Sequence, residues 1–322
     1  MIDTWPIESI PARARVIIDN DFGGDPDGIL QLAHHLLSPS VEIRAIIGTH
    51  LRLGDPWNAN RDTVAEAVKA ANKIVDLCGM TGQVPVLAGA PAAIVDVNTP
   101  QESEGIRFII EEAMRTDVDT PLYIACGASL TEIASAYLIE PRIAEKLTLV
   151  WIGGREHEGL AEQAPGAPDL EYNLHQDVLA GQVIFNKSDI NLWQVPRDSY
   201  RSCLASRSEM KLRMLGSGPL GQWLYDELAR VSKWVGTMGG NSGEAYVLGD
   251  SPLVLLTVLQ TAFEPDTASS VWKTIPCPTL FEDGNYQANP EGRHIRVYGL
   301  LDNRLMFEDM YAKFALLAAG DR

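Results

Sequence analysis

Val16-Ile17-Ile18-Asp19-Asn20-Asp21-Phe22-Gly23-Gly24-Asp25-Pro26-Asp27 sets an apolar, β-branched run directly before four carboxylates, and the helical stretch Ile29–Leu37 follows it. The pattern reads as a strand, a polar turn and a helix. The same alternation continues outward. Strands are predicted at Ile43–Ile47, Val84–Leu87, Leu122–Ala125, Leu147–Ile152 and Asn191–Val195. Helices are predicted between them at Asp62–Leu77, Ile106–Met114, Leu130–Leu138 and Val178–Phe185. Strands this uniformly apolar are buried on both faces, which predicts an α/β fold with a mostly parallel sheet flanked by helices.

The second half is less regular. Leu220–Val235 and Leu253–Phe263 read as helices, Ile295–Leu300 as a strand, and the glycine-rich Gly236–Gly249 as a mobile flap. No proline- or serine-rich linker divides the chain, so one domain over residues 1–322 is expected, with an amino-terminal extension over residues 1–14.

The 322 residues carry 43 acidic and 26 basic side chains, a formal charge of −17. That charge opposes a nucleic-acid or anionic membrane partner. Cys78, Cys126, Cys203 and Cys277 are far apart and form no CxxC pair, which speaks against a zinc knuckle or a disulfide framework. The start of the chain lacks the basic-then-apolar pattern of a signal peptide, and no stretch suits a membrane span. A cytoplasmic protein is expected.

Capping of the next helix accounts for one or two of Asp19, Asp21, Asp25 and Asp27, not for all four. Like charges at ~5 Å repel by about 1 kcal/mol even in water, and a bound cation removes that cost. An all-oxygen set without His or Cys favours Ca²⁺ or Mg²⁺. A strand followed by Asp-x-Asp also opens haloacid-dehalogenase-type phosphatases, the second reading of this segment. Glu171 and Asn173 stand two residues apart and, in extended backbone, share a side. An acceptor beside an amide suits sugar hydroxyls. Read alone, Asp250 in Leu248-Gly249-Asp250-Ser251-Pro252-Leu253 is a helix N-cap.

Taken in order, these segments resemble the inosine–uridine-type nucleoside hydrolases. Asp19–Asp27 resembles the family's DxDxGxDD motif, and Val84-Pro85-Val86-Leu87-Ala88-Gly89 its VPVxAG strand. Leu130-Thr131-Glu132-Ile133-Ala134 with Glu140-Pro141-Arg142-Ile143 is similar to LTNIA…EPRI, and Ile152-Gly153-Gly154 to MGG. Glu171-Tyr172-Asn173 with Asp177 is similar to EFN…DP, and Gly249–Leu253 to the late HDPL. The resemblance implies a three-layer α/β sandwich, one Ca²⁺ per chain, hydrolysis of the N-glycosidic bond of a ribonucleoside, and a homodimer or homotetramer. It implies metal contacts from Asp19, Asp21, Asp27 or Asp25, the Gly127 carbonyl and Asp250. Asp21 would be the general base, with Asp25, Glu171, Asn173 and His50 at the substrate. Ca²⁺ can chelate the sugar's 2′ and 3′ hydroxyls, but it acidifies water less than Zn²⁺ does, so a carboxylate must take the proton. A metal-keeping, sugar-binding relative without turnover is the other alternative.

Three departures stand out. Pro26 separates Asp25 from Asp27, where the family has adjacent acids. Gly48-Thr49-His50 replaces a glycine–asparagine. Gly249 stands where many members carry a His that helps the base leave, which leaves His50 and Tyr246 as candidate donors. The segment between Glu156 and Asp169 is also long and lacks an obvious sugar-binding Asn. His34 and His35 read as structural or surface residues, His157 as solvent-exposed, and His175 as part of a helix start. Among the tryptophans, Trp57, Trp151, Trp193, Trp223 and Trp234 present faces on which a base could stack.

Overall fold

In the computed structural model, residues 11–58, 60–261 and 270–320 are described. Twelve strands are present among them: β1 Ala14–Asn20, β2 Val41–Gly48, β3 Val86–Ala88, β4 Leu122–Cys126, β5 Leu147–Ile152, β6 Asn191–Val195, β7 Leu204–Ser206, β8 Ala245–Val247, β9 Val271–Pro276, β10 Thr279–Leu280, β11 Tyr286–Gln287 and β12 His294–Leu300. The helices are α1 Asp27–Leu36, α2 Thr63–Leu77, α3 Glu104–Ala113, α4 Thr131–Ile139, α5 Tyr172–Gln176, α6 Val178–Gln182, α7 Arg197–Tyr200, α8 Arg207–Met214, α9 Gly218–Thr237, α10 Pro252–Thr257 and α11 Asn303–Ala319.

The main sheet has the order β3-β2-β1-β4-β5-β6-β12-β9. Its pairings are parallel except at the edge, where β9 runs antiparallel to β12. β1 is buried along its whole length because helices cover both faces, so its uninterrupted apolar run is what a central parallel strand requires. One core, on the face holding Leu30, Ile74, Leu224, Leu255 and Phe314, lies under α1, α2 and α9–α11. The other holds Ile106, Ile133, Trp151 and Ile184 under α3, α4 and α6. The mostly parallel, helix-flanked sheet is as expected.

Chain order reverses across β1, which has β2 on one side and β4 on the other. Ligands of open α/β sheets bind outside the carboxyl ends of the strands at such a switch point. In register, Asn20 pairs with Gly48 and Asp19 with Cys126, so the turns after β1, β2 and β4 open on one edge. Local sequence sets the helices around it. Asp62 caps α2 by accepting from the Ala65 N–H at 3.0 Å, and Ser103 caps α3 through Ile106 at 3.1 Å. The first of these helices ends at Leu77, and Gly79 follows its cap residue, Cys78, with a φ of 64° that a residue with a Cβ adopts only with strain.

Several expectations need correction. β1 begins at Ala14, within the stretch read as an extension; residues 1–10 lie outside the described residues. The helix read over Leu253–Phe263 ends at Thr257, and Phe263 lies outside the described residues. The Val178–Phe185 helix changes after Gln182 into a π-helical turn, Val183–Lys187. The Gly236–Gly249 flap is shorter than read, since α9 continues to Thr237 and Ala245–Val247 forms β8, paired antiparallel with β7. β9, β10, β11 and α11 are not among the elements predicted from the sequence.

Candidate active site

Asp21, Asp25, Asp27, Trp57, Gly127, Glu171, Tyr172, Asn173, Arg197, Tyr200, Gly249 and Asp250 line one cavity of about 360 Å³ at the carboxyl edge of the sheet. Seven of these were expected at a site from the sequence: Asp21, Asp25, Asp27, Gly127, Glu171, Asn173 and Asp250. Asp19 and His50 are not among the lining residues. Asp19 lies inside β1, which ends at Asn20, whereas Asp21 lies in the turn beyond the strand. The Asp19 carboxylate is fully buried toward Glu132, neither oxygen has a hydrogen-bond partner, and burial, then Glu132 and Asp21, push its pKa well up. His50 is buried after β2 with neither ring nitrogen in a well-formed hydrogen bond, and burial lowers its pKa to about 4.

The acids at the cavity repel one another. Burial, then Asp250, Asp25 and Asp55, hold the Asp21 pKa well above the carboxylate range. Asp27 is raised by burial, Asp250, Asp25 and Asp21. Burial takes Asp25 to about 6 against a hydrogen bond from Tyr246, and Asp250 to about 7 against one from Asn20. Asp25 accepts from the Tyr246 hydroxyl at 2.7 Å, and Asp27 accepts from the Asp250 N–H at 3.3 Å. Asp250 is not a helix cap: its Oδ2 accepts from Asn20 Nδ2 at 2.9 Å, and the α10 N-cap residue, Ser251, makes no side-chain cap bond.

Two further arrangements differ from simple reading. Glu171 is the N-cap of α5, accepting from the N–H groups of Asn173 and Leu174, and it also accepts from the Gly154 N–H and, at 2.8 Å, the Tyr200 hydroxyl. Asn173 sits inside α5 and donates to the carbonyls of Ile152 at 2.8 Å and Gly127 at 3.2 Å. The two are therefore brought to the cavity by a helix start, not by an extended strand. Asp177 caps α6 through the Ala180 N–H at 2.9 Å.

Tyr200, Tyr172, Arg197 and Asn20 had not been singled out. Arg197 is held by Glu156 through two bonds, of 2.9 and 2.7 Å. The long segment after Gly153-Gly154 thus supplies an ion-pair partner, along with Ala164 and Ala167 in the cavity wall. Tyr172 donates to Asp55 at 3.0 Å. Trp57 lines the cavity and packs on Trp234 with ring centroids 5.3 Å apart. His157 is buried, stacked on Tyr286 and bonded to Gln194 at 2.9 Å, contrary to the expected exposure. His34 and His35 are buried, and His175 is exposed at the end of α5.

The donor chemistry fits a hard dication: all-oxygen, buried and mutually repelling, with Asp21 Oδ2 lacking any partner. Among the described residues, no three His, Cys, Asp or Glu side chains converge closely enough to hold an ion.

A parallel α/β sheet with a carboxylate-lined cavity at its switch point defines an enzyme site of the acid-rich kind. The chain belongs to the inosine-uridine preferring nucleoside hydrolase family, whose model matches residues 16–289, and is a hydrolase acting on N-glycosyl compounds. The phosphatase alternative falls with that membership. The fold is similar to that of a plant nucleoside hydrolase, at TM-score 0.68 and 15% identity over 94% of this chain and 99% of that one. A purine-preferring ribonucleoside hydrolase from Gardnerella vaginalis superposes with TM-score 0.65 and 20% identity. The inosine-uridine preferring enzyme of Bacillus anthracis does so with 0.64 and 16%, and both of these comparisons also cover 94% of this chain and 99% of the other. No curated protein matches the chain in sequence. Among the described residues, no helix is long and apolar enough to cross a membrane.

Proposed function

We propose that the chain hydrolyses the N-glycosidic bond of a ribonucleoside or related N-riboside, with Ca²⁺ as cofactor and Asp21 as general base. The observation that carries this reading is the meeting of Asp21, Asp25, Asp27 and Asp250 with Glu171 and Asn173 around one cavity. Asp21, Asp27, Asp250 and the Gly127 carbonyl would hold the ion. When bound, Ca²⁺ supplies counter-charge to the acids and polarises the sugar hydroxyls. Asp25, Glu171 and Asn173 orient the sugar. Loss of the base leaves positive charge on the ribose ring, and fixed carboxylates in a partly dry cavity stabilise that charge. Asp21 takes the proton of the attacking water, and its partner-free Oδ2 is available for it. The buried, free thiols of Cys126, Cys203 and Cys277 fit a reducing, cytoplasmic setting.

The test is hydrolysis of p-nitrophenyl riboside and of inosine by protein stripped with chelator and then reloaded with Ca²⁺. Turnover lost on stripping and restored by Ca²⁺ is expected. Full turnover in the stripped protein rejects the cofactor. Calorimetric binding of ribose with no turnover of any riboside favours the non-catalytic relative.

A further inference from the structure

A buried chain of amides runs from the cavity into the protein. Asn20 lies on β1 between Asp19 and Asp21, fully out of solvent. Its Nδ2 donates to Asp250 Oδ2 at 2.9 Å and to Gln31 Oε1 at 3.2 Å, and its Oδ1 accepts from the Asp21 N–H at 2.8 Å. Both amide hydrogens and the carbonyl are thereby engaged. On α1, Gln31 Nε2 meets His35 Nδ1. His35 Nε2 meets Thr257 Oγ1 on α10 at 2.9 Å, and the Thr257 hydroxyl donates to the Leu253 carbonyl at 2.6 Å. Gln31, His35 and Thr257 are all buried.

The direction of every bond follows from its far end. A backbone carbonyl only accepts, so the Thr257 proton is committed to Leu253 and its oxygen accepts from His35. His35 therefore carries its proton on Nε2 and offers Nδ1 as an acceptor, as burial requires of a neutral ring. Gln31 must then point its NH₂ at His35 and its carbonyl at Asn20. Asn20, in turn, can present only N–H to Asp250. Reversing any member sets donor against donor or acceptor against acceptor in a place water does not reach.

We infer that Asn20, oriented by Gln31, His35 and Thr257, is a positioning residue that holds the Asp250 carboxylate and the Asp21 backbone in their working arrangement. One oxygen of Asp250 is tied to Asn20 and the other is left for the cavity. None of Gln31, His35 and Thr257 lines the cavity, so their influence passes through Asn20. The inference rests on the reading of Asp21 and Asp250 as part of the ion- and sugar-holding set.

The experiment compares Gln31→Met, which keeps side-chain length and removes the amide, with Gln31→Glu, which keeps an oxygen toward Asn20 and a second oxygen that can accept from a protonated His35. Asp250→Asn is the benchmark. Ca²⁺ affinity is read by calorimetry, with kcat and KM for p-nitrophenyl riboside beside it. Gln31→Met is expected to weaken Ca²⁺ binding by roughly 10–100-fold, the usual worth of a residue that orients a ligand, and Gln31→Glu to recover most of it. A packing defect alone lowers thermal stability and leaves affinity well below the melting point unchanged. If Gln31→Met does not fold, Thr257→Val decides, since it removes only the oxygen that orients His35; roughly tenfold weaker binding is expected. Wild-type affinity in the folded variants overturns the inference when Asp250→Asn has lost binding. Wild-type affinity and turnover in Asp250→Asn itself overturn the functional reading, and the inference with it.

Discussion

Tyr200 fills the space that a side chain at position 249 would need. A Cβ on Gly249 would stand 3.2 Å from Tyr200 Cδ2 and 3.3 Å from Asp27 Oδ2. The Tyr200 hydroxyl is committed to Glu171, and burial together with that carboxylate pushes its pKa well above the phenol range. Tyr246 and Tyr172 also donate to carboxylates and are shifted upward, first by burial. His50 does not line the cavity. Among the described residues, therefore, no tyrosine or histidine stands ready to protonate a departing base. p-Nitrophenyl riboside, whose leaving group needs no proton, should turn over roughly 10²-fold or more faster than inosine or uridine, the usual worth of one general acid. Comparable kcat values, with inosine turnover lost in Tyr246→Phe, would show that a replacement donor exists. At the opposite step, Asp21→Asn should keep the fold and lose roughly 10²-fold or more in kcat, because an amide cannot accept the water's proton. Wild-type rates in that variant would reject Asp21 as the base.

At the scale of elements, the turn after β4 is where packing is least forgiving. A Cβ on Gly127 would stand 2.5 Å from Asn20 Nδ2 and 2.8 Å from Asp250 Oδ2. Backbone of one strand end must come this close for Asp250, carried by the chain before α10, to meet β1. Gly127→Ala should therefore destabilise the protein by about 1–3 kcal/mol, the usual cost of overpacking, and weaken its response to Ca²⁺. Urea denaturation with and without Ca²⁺ measures both; unchanged midpoints would contradict the packing. The β7–β8 pair does comparable work, since pairing Ala205 with Tyr246 brings Tyr246 to Asp25. Short strands of this kind carry little local signal, and the glycines around β8 hide it further.

For the molecule as a whole, two stability tests follow. His34 on α1 is buried, and its Nε2 meets Asp309 on α11 at 2.7 Å while Nδ1 has no partner. Burial outweighs the carboxylate and lowers its pKa from 6.5 to about 4. A folded-state pKa below the unfolded one means that this contribution is complete above about pH 6.5 and is lost as pH falls toward 4, on the order of 3 kcal/mol in all. The fall in melting temperature over that range should be shallower in His34→Gln, and an identical acid limb would count against the assignment. The second test is removal of the ion. Binding to the native state adds RT ln(1 + [L]/Kd), so roughly 100 Kd of Ca²⁺ should add about 2.7 kcal/mol. No melting shift on adding Ca²⁺ to chelator-treated protein, with no divalent ion found by elemental analysis, would remove the cofactor from the proposal.

What the sequence determined by itself is the alternation of elements and the set of acids. Strands buried on both faces must be almost wholly apolar, so β1, β4 and β5 announce themselves, and a cluster such as Asp19–Asp27 calls for a counter-charge wherever it lies. Side-chain direction and long-range partners were decided only by the tertiary structure. Asp19, inside β1, is buried beside Glu132, while Asp21, past the strand's last residue, lines the cavity. Glu171 reads as a sugar acceptor, yet it also caps α5 and accepts from Tyr200, because α5 starts there and α7 packs beside it. Asp250 reads locally as a helix cap; it is instead bound to Asn20, 230 residues earlier. That bond exists because the sheet order brings the end of β1 beside the turn before α10, a proximity that no local pattern of residues encodes.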